Sequence, residues 1–289
     1  MKEVYTFRDL ATWEGSGNPV RLGVFGDPVA RSLSPPMQNA ALAAAGETAQ
    51  YARFEITAPE LAPALRKLAA LNFIGVNLTV PHKIAAFSLI DECDAFAQQV
   101  GAINTIRFQS GRMLGANTDG AGFARGIRES FGMELQDLRG LVLGAAGGAG
   151  QAVVAQCALA GAAKIALVNR TADKAEALVQ RYDRPGIFAV PWSEGSLGEV
   201  FPEIDLIVNA TPLGLQSTDP SPLPASLLST THCVYDLNYQ PTALLAAAAN
   251  AGARAASGLT MLLHQGALAF EFWFERPAPL AAMRAALGL

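Results

Sequence analysis

Gly140-Leu141-Val142-Leu143-Gly144-Ala145-Ala146-Gly147-Gly148-Ala149-Gly150 is the stretch that decides how this chain is read. It opens as an apolar run of strand length and closes as a glycine-rich turn, and the residues from Ala152 to Ala160 continue it as a helix. A strand that empties through glycines into a helix lets phosphate groups approach the helix-end amides, where bulkier side chains would stand in the way. The strict Gly-x-Gly-x-x-Gly spacing is not met: one register puts alanine at a glycine position, and the other has the wrong interval. Two readings stand at this point, a dinucleotide cradle and a tight packing turn without a ligand.

The next apolar run, Lys164-Ile165-Ala166-Leu167-Val168, sharpens the choice, because it ends in Asn169-Arg170-Thr171 with Lys174 one helical turn further on. Enzymes that use NAD commonly carry a carboxylate here for the ribose hydroxyls, and that charge would repel a 2′-phosphate. A neutral amide, a guanidinium fork, a hydroxyl and an ammonium suit the phosphate of NADP instead. A solvated basic helix start is the alternative, and Asp173 and Glu176 weaken the local field. Further short apolar runs, Asp205-Leu206-Ile207-Val208-Asn209 and Cys233-Val234-Tyr235-Asp236-Leu237, alternate with alanine-rich helices. That pattern predicts a parallel sheet covered on both faces.

Upstream, Arg21–Gly26, Tyr51–Ile56 and Gly75–Val80 read as strands, and 59–71 as a helix. A further helix starts near Pro35-Pro36, with Ser34 placed to cap it, and another follows Pro81 from His82 or Lys83. Residues 103–108 and 113–117 form a hairpin around Ser110-Gly111, and Asp119-Gly120 opens a helix reaching Ser130 that bridges into a second domain. The lead at 1–19 reads as irregular or partly helical, with a breaker cluster at Glu14-Gly15-Ser16-Gly17-Asn18-Pro19. From Thr260 onward the chain is helical and returns to the first domain. The fold class is therefore α/β with two domains.

The composition fits that class and excludes others. A chain of 289 residues with 51% hydrophobic and 16% charged residues has apolar material for two cores. A net charge of −4 gives no general attraction to nucleic acid or an anionic membrane. Cys93, Cys157 and Cys233 form no CxxC pair, and with His82, His232 and His264 equally dispersed no metal site is expected. The early residues lack the pattern of a secretory signal, and the apolar runs are too short or too polar to span a bilayer. A cytoplasmic enzyme acting on small molecules, as monomer or homodimer, is the expectation.

Three polar clusters stand beside the strand ends of the first half. Ser32-Leu33-Ser34-Pro35 offers two hydroxyls to a carboxylate or polyol, or to ordinary helix capping. Asn77 and Thr79 share a face of an extended strand that leads to Lys83, and a ligand would explain two polar residues there. Asn104-Thr105 and Asn117-Thr118-Asp119 form the third, with Asp119 read either as a helix cap or as a partner that orients the Lys83 ammonium.

In their order along the chain these segments resemble the shikimate dehydrogenase family. The resemblance rests on Ser32–Pro35, Asn77-Leu78-Thr79-Val80-Pro81-His82-Lys83, Gly101–Thr105, Asn117-Thr118-Asp119-Gly120 and Asn169-Arg170-Thr171. It extends through Asn209-Ala210-Thr211-Pro212-Leu213-Gly214, Gly258-Leu259-Thr260-Met261-Leu262 and Gln265-Gly266. It implies a substrate domain over 1–119, a Rossmann-like NADP domain over 120–257, a helical segment over 258–289 that returns to the first domain, and an active site in the interdomain cleft. The resemblance makes Lys83 and Asp119 the catalytic pair. Ser32, Ser34, Thr79, Asn104, Tyr239 and Gln265 would hold the substrate. Gly144, Ala146, Gly147, Gly148, Ala149, Gly150, Asn169, Arg170, Thr171, Lys174, Asn209, Thr211, Gly258 and Met261 would line NADP(H).

Several positions depart from the family pattern. Arg31 stands where histidine is common, Gln38 replaces the histidine of a His-Asn pair, Gln151 stands where arginine is frequent, and Thr211-Pro212 replaces Thr-Ser. The implied reaction is reversible reduction of 3-dehydroshikimate to shikimate, in the biosynthesis of aromatic amino acids. The serine pair favours shikimate over quinate, because quinate-adapted relatives often carry threonine at one such position. A quinate or aminoshikimate-type dehydrogenase using NAD, and a non-catalytic metabolite sensor, are the alternatives.

Overall fold

The computed structural model describes residues 2–14, 18–216 and 218–289, so the centre of the breaker cluster, 15–17, lies outside the described residues. The chain divides into two units, Met1–Thr118 with Leu263–Leu289, and Asp119–Leu262. Both are α/β.

In the first unit, residues 2–14 of the lead are held by their aromatics. They form strand β1 (Tyr5–Thr6) and helix α1 (Phe7–Ala11), the latter closed by a capping box between Thr6 and Asp9. Tyr5 and Trp13 bring their rings to 5.5 and 5.7 Å from that of Phe54, which fixes the segment on the sheet. There follow β2 (Val20–Gly26), α2 (Ser34–Ala44), β3 (Gln50–Glu55), α3 (Leu61–Ala70), β4 (Gly75–Leu78), α4 (His82–Ala85), β5 (Glu92–Cys93), α5 (Ala95–Val100), β6 (Thr105–Gln109) and β7 (Arg112–Ala116). Helix α3 buries Leu61, Ala64, Leu65 and Leu68, the spacing of one helical face.

The sheet order is β1-β3-β2-β4-β6-β7-β5. Strands β1, β3, β2 and β4 run parallel, and the hairpin β6–β7 adds antiparallel to β4. The hairpin has a two-residue loop because Ser110 and Gly111 both take positive φ, the conformation that matches strand twist.

The second unit begins with α6 (Asp119–Phe131) and alternates β8 (Arg139–Leu143), α7 (Gly148–Leu159), β9 (Lys164–Val168), α8 (Ala172–Tyr182), β10 (Ile187–Ala189), α9 (Glu194–Val200), β11 (Leu206–Asn209), β12 (Cys233–Asp236), α10 (Ala243–Asn250) and β13 (Arg254–Ser257). Its six strands are all parallel, in the order β10-β9-β8-β11-β12-β13. The order reverses between β8 and β11. In open parallel sheets, the crevice beyond the carboxyl ends at such a reversal is where ligands bind. Helix α11 (Leu259–Phe274) carries the division between units at Leu262, and α12 (Leu280–Leu287) packs on α2.

The later part of α11 completes the first unit's core. Trp273 donates from its indole nitrogen to the Ile106 carbonyl at 3.0 Å, and its ring occupies the space a side chain at Gly75 would need. Truncating a buried aromatic of this kind costs about 3–5 kcal/mol.

Two local expectations are corrected. Ser34 is the first residue of α2, and Leu33 stands at the cap with no side-chain bond. The strand expected over Gly75–Val80 ends at Leu78, so Thr79 lies beyond the ladder and does not share a strand face with Asn77.

Candidate functional site

In the second unit the glycines divide three tasks. Gly144 takes φ +77 and turns the chain, and its N–H and that of Ala145 donate to the Val168 carbonyl at 2.8 and 3.2 Å. Gly147 is extended, caps α7 without a side chain, and donates to the Gly144 carbonyl at 3.0 Å. A Cβ on Gly150 would overlap the Gly144 carbonyl oxygen and stand 2.9 Å from the Ala145 backbone. The working pattern is thus Gly-x-x-Gly-x-x-Gly, with Ala146, Gly148 and Ala149 between the three. The first-turn amides of α7 have no intrahelical acceptor and open at the strand reversal, an arrangement that fits a pyrophosphate. Gln151 donates to the Ala146 carbonyl at 3.1 Å and accepts from Arg181 at 3.3 Å, so it braces the turn.

Beyond β9, Asn169 donates to the Thr171 carbonyl at 2.9 Å, which shapes the entry to α8. Thr171 occupies the cap position of α8 without making a side-chain cap bond. Arg170, Thr171 and Lys174 are all exposed, and no carboxylate stands at 169. This donor set fits a phosphate on the adenosine ribose.

The carboxyl ends of β11 and β12 carry a buried polar network. Asn209 accepts from the Thr211 N–H and hydroxyl at 3.1 and 2.7 Å, and donates to the Leu213 carbonyl and to Asp236 at 3.1 and 3.0 Å. Asp236 is 0% exposed and also accepts from the Asn238 N–H, the Asn238 amide and the Thr242 hydroxyl at 3.0, 2.9 and 2.7 Å. Burial outweighs these donors and holds its carboxyl above the ordinary 3.8. Gly258 donates to the Asn238 carbonyl at 3.1 Å and has no room for a Cβ beside the Leu237 carbonyl. The Met261 N–H donates to the Tyr235 hydroxyl at 2.9 Å. Asn209, Thr211, Gly258 and Met261 are therefore held beyond the carboxyl ends of the β11, β12 and β13 strands, and Tyr239 follows β12 in the same turn as Asn238. Asp119, 3% exposed, is the first residue of α6.

In the first unit the Ser32–Ser34 turn is fixed from behind. Ser32 accepts the Ser34 N–H at 3.3 Å through its hydroxyl, while its carbonyl accepts Nε and Nη2 of Arg53 at 3.1 and 2.7 Å. One helical turn after Ser34, Gln38 donates to the Gly266 carbonyl at 2.9 Å. Beside Gly266, Gln265 accepts from the Asn104 amide at 3.4 Å. Asn104, 2% exposed, is locked by Thr118, whose N–H and hydroxyl lie 2.8 Å from its oxygen and 2.9 Å from its nitrogen respectively. The structure thus connects Ser34, Gln265, Asn104 and Thr118 through two helices and a strand end.

Thr79 donates its N–H to the Phe25 carbonyl at 2.9 Å, and its methyl fills the space above Gly26. Half-buried Lys83 lies on α4, with its carbonyl accepting the Ile103 N–H at 2.8 Å. The neighbouring His82 is fully buried against the Ile56 carbonyl at 2.7 Å, and desolvation lowers its pKa below 6.5. Asn77 needs no ligand to account for it: it accepts from the Tyr51 hydroxyl at 2.8 Å and donates to Thr105 at 3.0 Å. Lys83 belongs to the first unit and Asp119 to the second.

Sequence reading missed Asp236 as a hub and Arg53 as a brace. A carboxylate ending the apolar run Cys233-Val234-Tyr235 was the available signal for the first. Arg53 lies outside every polar cluster of the sequence and left none.

Comparison with known proteins adds the family context. Models of the shikimate dehydrogenase substrate-binding domain, of shikimate/quinate 5-dehydrogenase and of the shikimate 5′-dehydrogenase C-terminal domain match residues 24–106, 127–215 and 258–287. A shikimate dehydrogenase (NADP(+)) of Symbiobacterium thermophilum is 42% identical over 274 residues, 92% of each chain. The crystal structure of shikimate dehydrogenase from Aquifex aeolicus is 37% identical with a TM-score of 0.85, covering 94% of this chain and 98% of that one. The Thermus thermophilus enzyme, crystallised with NADP(H) and shikimate, is 38% identical with a TM-score of 0.83, covering 93% and 98%.

Proposed function

The chain belongs to the shikimate dehydrogenase family, and from that premise we propose how its residues divide the work. It is an NADP-dependent oxidoreductase that interconverts 3-dehydroshikimate and shikimate, a step in aromatic amino acid biosynthesis.

The glycine turn and α7 take the pyrophosphate, and Asn169, Arg170, Thr171 and Lys174 take the 2′-phosphate. Asn209, Thr211, Gly258 and Met261 line the nicotinamide side. When bound, NADPH supplies the hydride that reduces the C3 carbonyl. Lys83 holds its ammonium at the oxygen where negative charge develops and gives that oxygen a proton. Asp119 orients the ammonium and hydrogen-bonds the reacting hydroxyl. In the reverse direction the same pair removes the hydroxyl proton. Ser32, Ser34, Thr79, Asn104, Gln265 and Tyr239 hold the carboxylate and the remaining hydroxyls.

One observation carries the assignment of the pair. The Lys83 carbonyl accepts the Ile103 N–H, and Asn104, next in the chain, binds Thr118, the residue before Asp119. The main chain at Lys83 is thereby tied through three residues to the peptide that leads into Asp119. We assign the substrate role to Met1–Thr118 with Leu263–Leu289 and the NADP role to Asp119–Leu262, so that Gly258 and Met261 fall with the other cofactor residues. Use of NADPH in biosynthesis favours a cytoplasmic enzyme, working as a monomer or homodimer.

Purified protein assayed with shikimate and quinate against NADP and NAD tests the reading. The shikimate–NADP combination is expected to give the highest kcat/KM. A preference for quinate with NAD would transfer the site to a neighbouring activity, and cofactor binding without turnover would make the protein a sensor.

A further inference from the structure

Asp236 is fully buried, reaches no solvent, and has no part in the proton or phosphate chemistry assigned above. Its Oδ1 accepts from Asn209 Nδ2, the Asn238 N–H and Asn238 Nδ2 at 3.0, 3.0 and 2.9 Å, and its Oδ2 accepts from Thr242 Oγ1 at 2.7 Å. These donors come from three separate segments: the end of β11, the turn after β12 and the cap of α10. A second tie closes the same ring, since Asn209 and Asn238 both donate to the Leu213 carbonyl, at 3.1 and 3.0 Å. Gly214, at φ +108, sits so close to Thr242 that a Cβ there would stand 2.7 Å from its methyl. A buried carboxylate is costly and is tolerated where its donors are fixed. Here those donors include Asn209, and through Asn209 also Thr211, while Asn238 directly precedes Tyr239.

We propose that Asp236 is a positioning residue that holds the Asn209–Gly214 loop and the Asn238–Tyr239 turn in one fixed arrangement. It thereby sets the nicotinamide side of the cofactor site and the substrate tyrosine together. The proposal rests on the cofactor and substrate roles given above to Asn209, Thr211 and Tyr239.

The test compares full-length Asp236→Ala, Asp236→Asn, Asn209→Ala and the double variant Asp236→Ala/Asn209→Ala, assayed well below each variant's Tm. Asp236→Ala is expected to raise KM for NADPH and lower kcat, each by about 10-fold, since a small misplacement at a reacting centre is costly. Asp236→Asn keeps an oxygen for the Oδ1 donors and is expected to recover most of the loss. In the double variant the KM for NADPH should rise by less than the product of the two single effects, because both remove the Asn209–Asp236 contact. Wild-type kcat and KM in Asp236→Ala, with only Tm reduced, would overturn the proposal, as would effects that simply multiply in the double variant. If Asn209→Ala itself leaves KM for NADPH unchanged, the cofactor-site reading fails instead. Should Asp236→Ala not fold, Asn238→Ala, which severs only the side-chain ties to Asp236 and Leu213, is judged by the same kcat and KM criteria.

Discussion

Gly150 sits so close to Gly144 that a methyl group on the former would overlap the carbonyl oxygen of the latter. Helix α7 can rise from its turn along this path only with glycine at position 150. Gly150→Ala is therefore expected to cost about 1–3 kcal/mol of stability by overpacking. It should also weaken NADPH binding as the first turn of α7 is pushed outward. Thermal unfolding and a fluorescence titration with NADPH check the two effects. A variant with unchanged Tm and affinity would show that the backbone relaxes without consequence.

Lys83→Ala is expected to lower kcat by about 10²–10⁴-fold, the usual contribution of a positioned proton donor. NADPH affinity should be nearly unchanged, because Lys83 stands in the first unit and the proposed cofactor residues in the second. Steady-state turnover and a binding titration separate the two. Near-wild-type turnover would remove Lys83 from the mechanism.

Arg170 is exposed at the mouth of α8 beside Thr171 and Lys174. Its loss removes one charge-assisted contact to the 2′-phosphate, about 1.5–3 kcal/mol. Arg170→Ala should therefore weaken NADPH by roughly 10- to 100-fold and leave NADH almost unaffected. Parallel Kd measurements decide the matter, and equal losses for the two cofactors would place the phosphate elsewhere.

Arg53 holds the Ser32 carbonyl with two donors of one planar group. Arg53→Ala is expected to raise KM for shikimate by about 10-fold, as expected when a part-buried acceptor loses its partners. Arg53→Lys should recover little, since an ammonium cannot reproduce the fork. An unchanged KM in Arg53→Ala would mean that the serine turn holds its shape without the brace.

Much of this architecture could be read from residue order. The run Gly140–Leu143 emerged as β8, the alanine-rich segment after it as α7, and the Ser110-Gly111 turn as the two-residue loop of a hairpin. These elements were legible because local chemistry and tertiary setting agree there. Strands β10 and β13 were not. Ile187-Phe188-Ala189 is three residues long, and Arg254-Ala255-Ala256-Ser257 has no β-branched side chain. Both lie at the margins of the sheet, where pairing with a neighbour rather than intrinsic preference fixes the conformation.

The polar residues divide the same way. Asn77 looked available to a ligand, because a sequence cannot show that Tyr51 and Thr105 lie across the sheet to engage it. The link from Gln38 to Gly266 spans 228 positions, and no local pattern announces it. Arg170 and Lys174 were legible for the opposite reason, since they lie within one turn of the strand end that defines their task.

The indole of Trp273 has a consequence for the order in which the molecule is made. The first unit needs that ring against Gly75 and Ile106, and it needs α12 against α2, yet Trp273 and α12 are both translated after the whole of Asp119–Leu262. On the ribosome, where domains generally mature in the order they emerge, the segment made second can close its core while the one made first still waits. Until Trp273 leaves the exit tunnel, the space beside Gly75 stays unfilled and the Ile106 carbonyl lacks its indole donor.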